Sequence, residues 1–439
     1  MIVQTATIAK NTFVESIRQP IFFIVLMLSG ALQVFTTWST AYSMGYTTSA
    51  EISKDNKLLV DIGLGTIFVA GMLLAAFIAT AVLNREIESK TVLTVVSKPI
   101  SRTSLILGKY IGVAGAITIA VLVMTIYLLL GLRHGVMSTA ADDPDYPVIL
   151  FSSIAVFLTL GVAGWCNFYY GWSFPQTASL LLLPLIVLAY IVTLFFNKSW
   201  EPQPLFTDFK PQVMIACAAV LLALLVLSAV AIAASSRLGQ VMTIVICAGV
   251  FMLGLLSNYM LGRRAYHNTS VGIVERATPK LDSRIAFNQD EDVYTLLLKS
   301  PPKAQIKINT PVYYGSNPNG FQIIGPKATH SGKQADGIFV KAFDNLRLLT
   351  IELKSDRWKP SRPPQPGDFV FLTPTQVSPI AATLYAIVPN FQHFWLIDAV
   401  TRNSKIPASH LELLAGYAGA QITGFLALAI ILFQRRDVG

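Results

Sequence analysis

Runs of about twenty residues almost devoid of charge recur along this 439-residue chain, and they constrain its fold more than any other feature. A helix crossing the roughly 30 Å hydrocarbon core of a bilayer needs about 20 apolar residues, and it must satisfy its own backbone because no water is there to do so. The runs 21–38, 59–83, 105–132, 148–168, 177–196, 213–234, 241–261 and 413–433 meet that requirement. Composition agrees: 53% of residues are hydrophobic and 13% are charged, where a soluble domain carries nearer 25%. The fold class read from this is mainly α, a polytopic α-helical membrane protein with about eight transmembrane helices.

An even number of crossings puts both termini on one side. Lys10, Arg18, Arg85, Lys90, Lys98, Arg102, Arg237, Arg435 and Arg436 then share a side, against Lys54, Lys57, Arg133, Lys198 and Lys210 on the other. The excess of basic residues marks the first side as cytoplasmic, although Arg263 and Arg264 at the far end of the seventh run oppose it. The expected location is the cell (inner) membrane, multi-pass, with both termini cytoplasmic. The net charge of +9 is spread among the connections beside membrane ends, so lipid headgroups account for it and no nucleic-acid partner is expected.

Several chemistries find no residues to carry them. Cys166, Cys217 and Cys247 lie inside apolar runs without ligand or disulfide spacing, and His134, His267, His330, His393 and His410 show no metal-ligand pattern. The runs hold almost no interior ionisable residue, Asp61 and Lys109 lying near ends, whereas ion-coupled transporters keep such groups at membrane depth. The chain carries no Gly-x-x-x-x-Gly-Lys-Ser/Thr loop to cradle nucleotide phosphates. Neither a cofactor nor a catalytic constellation is expected.

The connection between the second and third runs, residues 84–104, is charged and stands apart from the nearly uncharged runs on either side. Ile87, Thr91, Val92, Val95 and Val96 recur at roughly helical spacing with Arg85, Glu86, Lys90 and Lys98 mostly off that face, which predicts an amphipathic helix. Pro99 stops it, since a proline disfavours the α region for the preceding Lys98 and brings no N–H. Ser101 and Ser104 can cap the span that follows. The order Glu86-x-Glu88-x-x-Thr91, then Ser97-Lys98-Pro99-Ile100-Ser101-Arg102, then Gly108-Lys109, resembles the first cytoplasmic loop of ABC-2-type ABC transporter permeases. It departs at Ser89-Lys90, where glycine is frequent before the threonine. Thr12-x-x-Glu15-x-x-Arg18-x-Pro20 is similar to the elbow helix that opens such permeases. The ending Phe433-Gln434-Arg435-Arg436-Asp437 is similar to their C-terminus.

The domain organisation expected is an amphipathic interfacial elbow helix over 1–20, with Ala6, Ala9, Phe13 and Ile17 on its apolar face. Seven spans over 21–261 follow, and short amphipathic extracytoplasmic helices over 384–410 precede the last span and tail at 411–439. Between them, 262–383 is polar, rich in proline and glycine, and carries alternating runs at 304–308, 321–324, 337–342, 346–352 and 368–372, which predict a small β-rich extracytoplasmic insertion. The resemblance implies a permease subunit of an ABC transporter, with export as the family's commoner direction. It implies cytoplasmic ABC ATPase subunits as partners, together with a second permease copy or a sister permease in contact with membrane lipid. Coupling to the ATPase would fall to Arg85, Glu86, Glu88, Thr91, Ser97, Lys98, Pro99, Ser101 and Arg102. The alternative is a membrane scaffold that displays the β-rich domain and transports nothing.

Overall fold

The computed structural model describes residues 2–40, 49–88, 101–136, 143–279, 287, 291–302, 304–322, 337–344, 346–354, 358–401 and 406–434. Among these, eight helices are long and apolar enough to cross a membrane: Pro20–Thr37, Lys57–Val82, Arg102–His134, Tyr146–Tyr170, Phe174–Leu194, Pro211–Ser235, Gln240–Ala265 and Ala408–Gln434. They are the eight runs read from the sequence, and are called the first to eighth spans below. A helix α1 (Ile2–Arg18) precedes them. It stops one residue short of Pro20, which opens the next helix at a position where its missing N–H costs nothing.

The chain divides into two compact units, residues 1–252 with 391–439, and residues 253–390. In the first unit the second, third and sixth spans are mostly buried, while the fourth and eighth keep most of their surface outward. The third span is the hub: it packs against α1 and against the first, second, fifth and sixth spans. The sixth lies between the second, third and eighth, and an alanine-rich sequence makes its close packing possible. The fourth and fifth form a hairpin. Its turn is made by Gly171, whose φ of 68° is the left-handed conformation that suits glycine, and by Pro175 just inside the next helix.

The second unit holds an antiparallel sheet of six strands in the order β4 (Tyr313–Gly315), β7 (Phe369–Phe371), β2 (Ser270–Pro279), β3 (Val293–Leu298), β6 (Leu348–Lys354) and β5 (Gly337–Asp344). The two ends of that row meet. Just before β4, Val312 N donates to Ile338 O at 2.8 Å, and Val340 N donates to Thr310 O at 3.0 Å. One segment, 309–315, therefore pairs with β5 through its first half and with β7 through its second, and the sheet closes into a small barrel. Strand β2 turns a corner in the same way, pairing with β7 and then with β3 across a bulge between Val274 and Arg276. Closure leaves no long edge to aggregate. The interior is filled by Val274, Tyr294, Leu296, Leu298, Tyr314, Val340, Leu349, Ile351, Leu353 and Val370, drawn from every strand.

Four sequence expectations change here. The run 304–308 is not a strand: Lys307 O begins a turn to Thr310 N, and the paired residues are 309–312. Of the run 321–324, Phe321 and Gln322 lie outside any strand and the remainder lies outside the described residues. Strands β2 and β3 were not anticipated, because their buried residues do not alternate cleanly in a strand that bends or is covered on both faces. The helix anticipated from 384 begins earlier, at Pro379, because Ser378-Pro379 supplies a start signal, and runs to Ile387. A turn of 3-10 helix, Phe391–Phe394, and the short helix Ile397–Thr401 belong to the first unit.

Candidate coupling region

The helix of the second span does not end with the apolar run but continues to Glu88, so Arg85, Glu86 and Glu88 ride on an extension of the span rather than starting a separate helix. Leucine, isoleucine and glutamate favour helix in water as well as in lipid, and nothing in 83–88 breaks the backbone pattern. Thr91, Ser97, Lys98 and Pro99 lie outside the described residues. The chain is described again at Ser101, whose hydroxyl caps the third span by accepting from Ser104 N at 3.1 Å. The next residue, Arg102, reaches across to the far end of the sequence: its Nη1 donates to Gln434 O at 2.8 Å.

That acceptor is not isolated. From the connection between the sixth and seventh spans, Arg237 Nε donates to Leu432 O at 2.9 Å. Both carbonyls fall in the last turn of the eighth span, where they have no partner within the helix and where the backbone dipoles leave partial negative charge. Two arginines from different connections thus tie down one helix end. On the elbow side, Arg18 Nε donates to Gln176 Oε1 at 3.2 Å, joining the end of α1 to the turn between the fourth and fifth spans. Arg18, Arg102, Gln176, Arg237 and Gln434 all mark one end of the bundle, as the alternation of span directions requires.

Helix α1 is held against the third span by glycine. A side chain at Gly112 would stand 2.6 Å from Ala9 O, and one at Gly108 2.8 Å from Ile8 Cβ and 2.9 Å from Thr5 O. The two backbones therefore approach as closely as a Gly-x-x-x-Gly pair allows. The sequence placed Ala6, Ala9, Phe13 and Ile17 on the buried face, but Ala6 is exposed and the polar Thr12 and Ser16 take its place beside Ala9 and Ile17. Small size decides this, because a groove floored by glycine admits serine and threonine, and Ser16 Oγ is satisfied by Thr12 O at 2.7 Å. One position along, Lys109 is 1% exposed and its Nζ donates to Val82 O at 3.0 Å. The lysine ties the third span to the segment of the second that leads into Arg85–Glu88. In the sequence Lys109 stands out only as the second residue of Gly108-Lys109 and as a charge near a helix end.

The opposite end of the bundle carries a second charged knot. Arg133 Nε lies 3.2 Å from Asp145 Oδ2, its Nη1 pairs with Asp208, and its Nη2 donates to Phe196 O at 2.5 Å. Asp145 has no exposed side-chain surface and also accepts from Val148 N at 3.3 Å, capping the fourth span. Gln203 Nε2 donates to Asp208 Oδ2 at 2.7 Å. Lys210 stands nearby, its ammonium pushed below the usual lysine range by burial and by the charge of Arg133. Among the described residues, no group of three or more His, Cys, Asp or Glu side chains is placed to hold a metal. What the region offers is mechanical: helix ends tied to one another by charge-assisted bonds.

Residues 6–165 match the family described as ABC-2 family transporter protein. The matched stretch takes in most of α1, the first three spans, the loop containing Arg85–Arg102 and most of the fourth span. No curated protein and no solved structure matches the chain. Transport by such a permease implies an ABC ATPase as partner. Through residues 6–165, then, the chain is similar to the ABC-2 family of transporter proteins, and its eight long apolar helices are those of a multi-pass integral membrane protein.

Proposed function

We propose that this chain is the membrane subunit of an ABC exporter of the inner membrane, working with a second permease copy or a sister permease and with cytoplasmic ATPase subunits. The observation that carries this reading is the physical linkage around the loop 84–104. The second span extends into Arg85–Glu88, Lys109 binds the second span's backbone, and α1 is seated on the third span beside it. A push on the loop would therefore reach three helices at once. Glu86 and Glu88 are assigned to polar contacts with the ATPase, and Thr91 with Ser97–Pro99 to the turn that passes the push on. Ser101 and Arg102 fix that turn to the third and eighth spans. For transport to follow, those contacts must differ in free energy between inward- and outward-open states. Both termini lie in the cytoplasm in this reading, and the barrel lies across the membrane from them.

The test is co-purification in mild detergent, followed by an ATPase assay on the captured complex. Glu86→Ala with Glu88→Ala should leave the chain folded and inserted while ATPase capture falls, or while hydrolysis no longer responds to the permease. Capture and response equal to the parent chain would sink the assignment of those two glutamates. The absence of any ATPase from preparations in several detergents would favour a scaffold, whose functional part would be the barrel of the second unit.

A further inference from the structure

Between the first, third, fourth and fifth spans lies a cleft of about 440 Å³, in the half of the bundle remote from Arg102. The fourth span packs chiefly on the fifth, and the third span lines the space between the fourth and the first. Its walls are aliphatic and aromatic apart from a few hydroxyls and one imidazole, and its volume lies in the range of small-ligand sites. Along its lining Val34 is 63% and Phe157 73% exposed, on helices long and apolar enough to cross a membrane. A cleft opening between such helices at that depth would face the acyl chains of the bilayer.

Length selects the occupant. The wall formed by the first span runs from Met27 to Thr37, ten residues that rise about 15 Å along a helix. One leaflet contributes about 15 Å, half of the roughly 30 Å hydrocarbon core. The cleft also has a polar end on the expected side. Thr37 and His134 close it next to Arg133, whose ion pair with Asp145 marks the level at which charge is tolerated. His134 Nδ1 lies 3.0 Å from Gly135 O, while its Nε2 is buried with no hydrogen-bond partner. Such a group is costly in an apolar wall unless something polar comes to it.

We propose that this cleft binds one acyl chain of a membrane lipid from the leaflet remote from the 84–104 loop. The chain lies along the first and fourth spans, with its ester end at Thr37 and His134. The inference stands on the membrane spans alone and does not depend on coupling to an ATPase.

The experiment uses the full chain in vesicles of phosphatidylethanolamine and phosphatidylglycerol. These are doped with phosphatidylethanolamine bearing a photoactivatable diazirine either near the carbonyl or near the tip of one acyl chain. Labelled residues are then mapped by mass spectrometry. The carbonyl-side probe should mark the neighbourhood of Thr37 and His134, and the tip probe that of Met27 and Phe157. Both should exceed labelling of the lipid-facing Val245 on the seventh span. Ala31→Leu with Ser153→Leu, which fill the cleft, should cut cleft labelling about tenfold while labelling at Val245 stays constant and reports an intact fold. Labelling no stronger in the cleft than at Val245, or unchanged by the fillers, would overturn the proposal. So would chain-to-chain cross-links across the cleft with lipid excluded, since a second copy would then be its occupant.

Discussion

Arg133 and Asp145 show how a single buried pair can hold several segments. With the side chains 5% and 0% exposed, neither charge has water to fall back on. A buried pair adds little net stability compared with apolar residues of the same size, but removing one partner strands the other and costs about 3–5 kcal/mol. Arg133→Met should therefore lower the melting temperature in detergent micelles sharply, and Arg133→Met with Asp145→Asn should recover part of the loss. A single variant that melts with the parent chain would mean that the pair does not form in the folded protein. The sequence could not show this pair. It exposes Arg133 as a basic residue after the third apolar run, and the twelve positions to Asp145 include a connection whose path no local pattern fixes.

Among the elements, the seat of α1 on the third span is the contact most open to a direct test. The N-terminal helix is legible from its spacing, but its seat on the third span is not. The glycines of that span bring it onto the helix backbone and select small residues for the contact, so Thr12 and Ser16 are buried where hydropathy alone would place them outside. Gly112→Val should force the helices apart, at a cost of about 1–3 kcal/mol for overpacking. Ile17 is 1% exposed, so a cysteine placed there should react slowly with a maleimide in the parent chain and quickly when Gly112→Val is added. Equal rates in the two would show that α1 is not seated on the third span. The spans themselves are legible to within about five residues at each end, because apolar length is a signal that tertiary contacts hardly alter. The strands of the barrel were read poorly, since β2 and β3 derive their identity from partners distant in sequence.

At the scale of the whole molecule, the eight helices make a parity argument. Arg18 bonds Gln176, while Arg102 and Arg237 both bond the last turn of the eighth span, and the up-and-down order of the spans puts all of these segments at one end of the first unit. If each span crosses once, Lys10 and Gln434 face the same compartment. Lys299, in a segment preceded by seven crossings, faces the other. All three side chains are exposed. In a background with Cys166, Cys217 and Cys247 replaced by alanine, single cysteines at these positions can be probed in intact cells with a membrane-impermeant maleimide. Position 299 should be labelled from outside, and positions 10 and 434 only after the membrane is opened. This pattern follows from the basic bias of the loops on the Arg85–Arg102 side. Outside labelling at 10 and 434 with protection at 299 would keep the eight crossings but invert the chain, putting the loop 84–104 beyond the reach of any cytoplasmic ATPase. Labelling that separates 10 from 434 would break the parity itself, and one of the eight helices would then lie in the membrane without crossing it.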